Sequence, residues 1–417
     1  MGCVSMLCKY GARLLLAQKI GCGSVGTAAA FCFSGAGSFA IPLAKDLDCP
    51  PAEHLRGILR GERCRLPSFF MPVSPAGGLR HFLPQWMISG KRLVKFAFMK
   101  EIAAALAIGF VIDCVLGDPH TLPHPVVLIG KLIAALEKAF RHLMPKTPGG
   151  EKVAGGCIWL LAVSLSGLIP WIILRLCGMV SPWLRLAVHG IMCWQIIAPR
   201  SLRDESMKVY HTLKTGTLPE ARKAVSMIVG RDTENLDADA VARAAVETVA
   251  ENASDGVIAP MLFIALGGAP MGFVYKAVNT MDSMLGYVEP PYKNVGLVPA
   301  RMDDLFNFIP ARLCAMLMLL AGCILGMDVK NGWKIFRRDR YNHASPNSAQ
   351  TESVCAGLLG LRLAGDASYH GVLHKKKFIG DALREITPED IPASCRLMYT
   401  AAVLMLLVCI FARFFLR

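Results

Sequence analysis

Gly230-Arg231-Asp232-Thr233-Glu234-Asn235-Leu236-Asp237, closed further on by Ala253-Ser254-Asp255-Gly256, frames the stretch on which the fold turns. Its 27 positions are dense in charge, amides and turn formers, and a 20-residue uncharged run, Gly256 to Tyr275, follows with no spacer. About 20 apolar residues cross the hydrocarbon core of a bilayer. So polar a stretch set against such a run reads as a membrane protein holding a polar ligand at the bilayer surface. Gly267-Gly268-Ala269-Pro270 interrupts the run, which therefore fits a re-entrant hairpin as well as a full crossing.

The whole chain agrees with that class. Its 417 residues are 54% hydrophobic and 18% charged, with a mean hydropathy of +0.44. Soluble domains carry about 25% charged residues. The net charge of +14 is spread over loops without an aromatic-interleaved basic patch. That argues against nucleic acid and fits the Lys/Arg bias of cytoplasmic loops. Of the 15 cysteines most sit singly in apolar runs, and no CxxC or CxxH pair occurs. A zinc site or a disulfide framework is therefore not expected.

Outward from the central stretch, the hydrophobic segments are Ile102–Ile112, Val153–Leu174, Leu176–Pro199 (broken by Pro182 and Arg185), Gly256–Tyr275, Phe308–Met327 and Arg396–Phe415. Val126–Met144 has an amphipathic period, Leu218-Pro219-Glu220 starts a short helix with Pro near its first turn, and Asp237 or Asp239 opens a helix to Asn252. The spacing predicts an all-α, polytopic membrane protein with about five to six hydrophobic helices and helical polar loops. Residues 1–98 read differently. They hold 6 of the cysteines and 12 basic against 4 acidic residues, with no steady period. They are expected to be an atypical extension, or sequence upstream of a start at Met99, before a membrane domain over 99–417. Basic runs at Phe336–Arg340 and His374–Lys377 argue that the loop 328–395 is cytoplasmic. If every apolar run crossed, 199–255 and 328–395 would share one face and 276–307 would lie on the other. A site using all three needs re-entrant segments or polar residues at bilayer depth.

Four polar islands carry candidate chemistry. Asp239, Arg243, Glu247 and Glu251 recur at i, i+4 and line one helix face. The first two read as a solvated stripe. Glu247 and Glu251 repel each other beside Asn252 and Asp255, and Mg²⁺ or a cationic ligand would relieve that. The second island holds Lys276, Asn279, Asp282, Arg301, Asp303, Asp304, Asn307 and Arg312. Asp303-Asp304 reads as the opening of a membrane helix, where acids complement the macrodipole. Yet Asp303, Asn307 and Arg312 over the first turns of an apolar segment are also functional candidates. Carboxylates with Lys276, Arg301 and Arg312 nearby are the inventory of a metal–phosphate site. His343, Ser345 and Asn347 offer hydrogen-bonding groups on a Ser-Pro-Asn turn, and Asp118 to His124 do so on a loop with three prolines in seven residues, 119–125. No Walker A sequence and no Gly-x-Ser-x-Gly elbow occurs.

Six collinear motifs resemble the adenosylcobinamide-phosphate synthase family, called CbiB or CobD. They are Gly117-Asp118-Pro119 with Leu122-Pro123-His124-Pro125-Val126 and Ile129-Gly130; Val229-Gly230-Arg231-Asp232-Thr233; and Glu247-Thr248-Val249-Ala250-Glu251-Asn252 with Ser254-Asp255-Gly256. Then come Asn279-Thr280-Met281-Asp282-Ser283-Met284 with Gly286-Tyr287; Arg301-Met302-Asp303-Asp304 with Ile309-Pro310-Ala311-Arg312; and Ser345-Pro346-Asn347. Where that family usually continues Ala-Gly-Trp-Pro, this chain has Ser348-Ala349-Gln350-Thr351. The resemblance implies a multi-pass enzyme of the bacterial inner membrane. It would join adenosylcobyric acid, a corrinoid, to (R)-1-aminopropan-2-ol phosphate or ethanolamine phosphate, consuming ATP with Mg²⁺. Association with other late cobalamin-pathway membrane enzymes is a further implication; the alternative is a transporter or scaffold of that pathway.

On that chemistry, Asp255, Asp282, Asp303 and Asp304 are expected to hold Mg²⁺. Arg231, Lys276, Arg301 and Arg312 would neutralise phosphates, and Asn279, Asn307, His343, Ser345 and Asn347 would bind substrate. Glu247, Glu251 or His124, with Asp118, would serve the amine's proton.

Overall fold

The computed structural model describes residues 85–118, 124–287, 290–369 and 371–415. The expected extension over 1–98 lies outside them, except for its last residues, which belong to helix α1.

Helix α1 (Gln85–Leu116) stops at Gly117, whose φ of +64° is the left-handed conformation glycine adopts without penalty. α2 (Pro125–Leu143) starts on His124, whose imidazole accepts the Val126 N–H. α3 (Pro148–Val180) starts on a Thr147 cap, and α4 (Pro182–Trp194) on a Ser181 cap. That Ser-Pro break ends the Leu176–Pro199 run as one crossing. α5 (Pro199–Thr215) and α6 (Leu218–Ser226) are polar, and α6 opens with a Thr217/Glu220 capping box. α7 (Ala238–Asn252) is capped by Asp237, which accepts the Ala240 N–H at 2.7 Å. It runs into a π-helical turn, Ala253–Ile258, of the kind often found at functional sites. α8 (Ala259–Leu285) and α9 (Leu297–Ile324) follow. The expected loop 328–395 contains α10 (Val329–Asp339), α11 (Ser348–Leu359) and two short antiparallel pairs. In these, β1 (Leu363–Ala364) pairs with β4 (Phe378–Ile379), and β2 (Ala367–Tyr369) with β3 (Val372–His374). α12 (Asp390–Phe415) ends the described chain.

Among the described residues four helical runs are long and apolar enough to cross a membrane: Pro148–Val180, Ala238–Leu285, Leu297–Ile324 and Asp390–Arg413. The chain is a helical membrane protein. Ala238–Leu285 is not one straight rod. Inside α8 the backbone leaves the helix at Gly267 and Gly268 (φ +74°, ψ −168°). Beyond that break the chain folds back on itself. Phe263 and Tyr275 stack with ring centroids 5.0 Å apart, although twelve residues of straight helix would separate them by about 18 Å. The Tyr275 hydroxyl reaches the carbonyl of Asp255 at 3.1 Å. The run after the central stretch is therefore a hairpin, and the polar islands that flank it return to the same end.

The hairpin tip is held from behind. His189 Nε2 accepts the Ala269 N–H at 3.0 Å while its Nδ1 lies 3.1 Å from Glu101. The tautomer with the proton on Nδ1 satisfies both. Arg185 closes on the same carboxylate at 2.9 Å. These three ionisable groups are thus structural, an account of intramembrane charge that the sequence reading did not offer. Around the hairpin the core is continuous. Ala244, Ala245, Val246 and Val249 of α7 are buried, and α7 packs against α5, α11 and α12. The side of α3 turned outward is largely apolar, with Leu160, Leu168, Ile169, Ile172, Leu176 and Met179 all exposed and Arg175 as its one exposed charge beyond Val153. That is the pattern of a lipid-facing helix.

Candidate functional site

Three segments meet where the hairpin rejoins the polar part of the molecule. The end of α7 and its π turn bring Glu251 and Asp255, the last two turns of α8 bring Asn279 and Asp282, and α9 brings Asp303, Asp304 and Asn307. The charges of Glu251, Asp255, Asp282 and Asp303 act directly on one another, and Asp282 also feels Asp304. The acids are braced by neutral hydrogen bonds. Tyr275 donates to Asn307 Oδ1 at 2.8 Å, and Asn307 donates through Nδ2 to Asp303 at 3.0 Å. The Asn279 side chain also faces the Asp303 carboxylate. Even so, Oδ1 of Asp303 and Oδ1 of Asn279 are buried without a partner. Buried acceptors left unpaired are costly, and a donor or cation from outside is the usual remedy.

α9 begins at Leu297, so Asp303 and Asp304 lie nearly two turns inside it and do not cap it. The capping expectation fails because Leu297-Val298-Pro299-Ala300 already forms the first turn.

The turn after α10 forms the next wall. Ser345 Oγ lies 3.3 Å from Asp304, and Asn347 Nδ2 donates to the Asp304 carbonyl at 2.9 Å. Arg312 donates to Asn347 Oδ1 at 3.2 Å and stands over the Phe308 ring, its Cζ 3.5 Å from the centroid. His343 Nδ1 accepts the Ser345 N–H at 3.1 Å. Burial holds this imidazole below its usual pKa, with the Glu251 charge opposing and Lys376 reinforcing. Arg301 is exposed and its charge reaches Asp304. Lys276 is buried on α8.

Glu247 and Arg231 are ion-paired, and the other oxygen of Glu247 accepts the Ala364 N–H at 2.6 Å. Burial works to lower the Arg231 pKa, but the charge and hydrogen bond of Glu247 outweigh it and raise the value. This pair ties α7 to β1. It occupies both groups and relieves the repulsion expected between Glu247 and Glu251.

Three further residues belong here that the sequence reading passed over. Ser348 Oγ donates to Glu251 at 2.9 Å. Glu352, one turn along α11, is buried against Glu251 and Glu247. Burial pushes its carboxyl well above the usual range, those two acids add to the shift, and Lys376 and Arg231 oppose it. Lys376, anchored to Tyr369 Oη at 2.7 Å, directs its charge at Glu251, His343 and Glu352. Its neighbours Lys375 and Lys377 are exposed, and Lys376 between them is half-buried in the connection from β3 to β4.

Asp118 and His124 stand apart. Their side chains face each other at 3.6 Å, His124 caps α2, and among the described residues no hydrogen bond or ion pair joins them to the acids. A cavity of about 410 Å³ lies elsewhere again, against α2 and the start of α3, and none of the site residues lines it.

Among the described residues no group of three or more His, Cys, Asp or Glu side chains is gathered closely enough to hold a metal ion alone. Mg²⁺ seldom needs such a cage. It is commonly held by one or two carboxylates, with waters and substrate phosphates filling the rest. The unpartnered oxygens of Asp303 and Asn279, beside Asp282 and Asp255, fit that mode and not a preformed all-protein site.

The comparisons with known proteins agree on one family. The family model described as CobD/Cbib protein matches residues 106–398. A cobalamin biosynthesis protein CobD of Clostridium perfringens is 44% identical over 308 residues, 74% of this chain and 97% of the relative. CobD of Geobacter metallireducens is 46% identical over 310 residues, 74% and 96% of the two chains. The cobalamin biosynthesis protein CbiB of Salmonella typhimurium is 43% identical over 315 residues, 74% and 97%. No solved structure is significantly similar.

Proposed function

This chain belongs to the CobD/CbiB family, and from that premise we propose how its converging acids serve the reaction. The protein is a membrane enzyme of cobalamin biosynthesis, an adenosylcobinamide-phosphate synthase. The transporter or scaffold reading is not favoured, because the relatives are cobalamin biosynthesis proteins and the ionisable groups at the hairpin tip, Glu101, Arg185 and His189, are engaged with one another and with the tip itself.

The substrates we assign are a corrinoid carboxylic acid and a phosphorylated amino alcohol, with ATP as co-substrate. A carboxylate resists amidation until one oxygen becomes a leaving group. Its oxygen therefore attacks a phosphoryl group of ATP and expels ADP, giving an acyl phosphate. The amine then attacks the carbonyl carbon, phosphate departs, and the amine's proton is lost to a base. Mg²⁺, when bound, would neutralise and orient the phosphates, and Asp303, Asp282 and Asp255 are the side chains suited to it. Asp304 is held by Ser345 and serves better to fix the Ser345–Asn347 turn. Glu251 is the best placed base, since Glu247 is committed to Arg231. Lys376, Arg301 and Lys276 supply the positive charge that the phosphates need. The bacterial inner membrane is the location that this role implies.

The observation that carries this reading is the buried, unpartnered Oδ1 of Asp303 among acids from three separate segments. Alanine replacement of Asp303 and of Asp304 in detergent-purified enzyme tests it, with cobinamide phosphate formation followed as Mg²⁺ is titrated. Asp303→Ala should lose at least about 100-fold in turnover, the scale of removing one electrostatic stabiliser. Near-normal turnover for Asp303→Ala refutes the metal role, whatever Asp304→Ala does.

A further inference from the structure

The cavity of about 410 Å³ that none of the site residues lines is bordered by Lys138, Arg141, His142 and Lys146, with Glu151 as the acid among its walls. Its two lysines are not consumed internally. Arg141 is partly committed, to Glu137 at 2.8 Å and the Pro291 carbonyl at 3.0 Å, while Glu151 accepts from Asn294 at 2.9 Å. Lys138 and Lys146 are exposed and make no hydrogen bond or ion pair among the described residues. The cavity's height on the molecule is equally specific. It touches Glu151 and Ala154 of α3, and between them Val153 is 56% exposed. From Val153 onward the outward face of α3 carries no charged residue through Leu160 and Leu161 to Ile173, whereas Lys152 just before it is exposed and charged. Leu143, at the end of α2 beside the cavity, is 73% exposed. The cavity therefore sits where exposed side chains change from charged to hydrocarbon, the level of lipid headgroups.

We propose that this cavity binds the phosphate headgroup of an anionic phospholipid, with Lys138 and Lys146 as its free cations and Leu143 and Val153 against the acyl chains. The chemistry shared with a soluble ligand is the phosphate monoanion. The exposed apolar surface that continues below the cavity selects the lipid. Basic pockets between membrane helices are a known form of headgroup recognition. The bound lipid would brace the α2–α3 turn against the 290–295 segment, since Arg141 and Glu151 already join those two elements.

The test uses the full-length protein in neutral detergent, with Lys138→Gln/Lys146→Gln as the variant. Native mass spectrometry and thermal unfolding are read with added phosphatidylglycerol, phosphatidylcholine or inorganic phosphate. The wild type should retain phosphatidylglycerol and unfold several degrees higher with it. The double variant should bind that lipid roughly 30-fold more weakly, which two cations near an anionic headgroup supply. Its turnover without lipid should equal that of the wild type, because neither lysine belongs to the acid cluster. Equal retention of phosphatidylcholine, the same stabilisation by inorganic phosphate, or an undiminished phosphatidylglycerol effect in the variant would each overturn the proposal.

Discussion

The Tyr275 hydroxyl donates to Asn307 Oδ1 at 2.8 Å, joining the returning arm of the hairpin to the helix that carries Asp303. The same hydroxyl lies 3.1 Å from the carbonyl of Asp255 on the other arm. One buried phenol thus sets the spacing of three segments whose acids form the site. Tyr275→Phe keeps the stack on Phe263 and removes only the hydroxyl. It leaves the amide oxygen of Asn307 buried and unpaired, which costs about 1–3 kcal/mol. The expected result is a lower unfolding temperature in detergent and a fall in turnover. Unchanged values of both would show that the two arms are positioned without it.

Gly268 makes the reversal. Its φ of +74° with ψ of −168° falls in a region populated essentially by glycine alone. A Cβ there would also stand 2.8 Å from His189 Nε2, the atom that accepts the Ala269 N–H. Gly268→Ala must therefore strain the backbone and disturb the bond that anchors the tip, a loss of about 2–4 kcal/mol when the backbone cost is added to that of the displaced bond. Reduced yield of folded protein and early unfolding are expected. Gly149→Ala, a site with nothing within 4 Å of the new methyl, serves as the control.

The Arg231–Glu247 pair offers a test of coupling. Both side chains are largely buried, and Glu247 also receives the Ala364 N–H. Breaking one side leaves a buried charge uncompensated, which costs about 3–5 kcal/mol. Arg231→Gln and Glu247→Gln should each destabilise strongly, and the double variant should cost clearly less than their sum. The two losses adding without interaction would mean that the pair does not hold α7 to β1.

Much of this arrangement was legible in residues and some was not, for identifiable reasons. Gly267-Gly268-Ala269-Pro270 marked the break in the hydrophobic run. Whether the chain crossed or returned depended on the stacking of Phe263 on Tyr275, a contact with no trace in local pattern. The caps at Asp237 and the start at Leu218-Pro219-Glu220 were readable because a cap is a local hydrogen bond. The start of α9 was misplaced because Pro299 looks like a loop residue, yet proline is tolerated in a first helical turn. Ser348 and Glu352 went unnoticed because their island departs from the family's usual wording. Lys376 was hidden in a charge run whose middle member alone turns inward. The resemblance grouped Asp118 and His124 with the other motifs, but kinship in sequence order carries no distance, and they pair with each other.

Glu352 supplies the last prediction, and its sign is opposite to that of a carboxylate held in an ion pair. Burial against Glu251 and Glu247 raises its folded pKa well above the ordinary carboxylate value. The native state therefore keeps a proton on this group that the unfolded chain releases near pH 4, the usual glutamate value. Its contribution is fully present below that pH and is lost as pH rises toward the folded pKa. Glutamine mimics the protonated carboxyl and cannot ionise. Glu352→Gln should thus unfold at the same temperature as the wild type near pH 4 and at a progressively higher one toward pH 8. Thermal unfolding in detergent at several pH values reads this directly. Curves that stay parallel across that range would mean that Glu352 titrates alike in both states, so that Lys376 and Arg231 neutralise its burial completely.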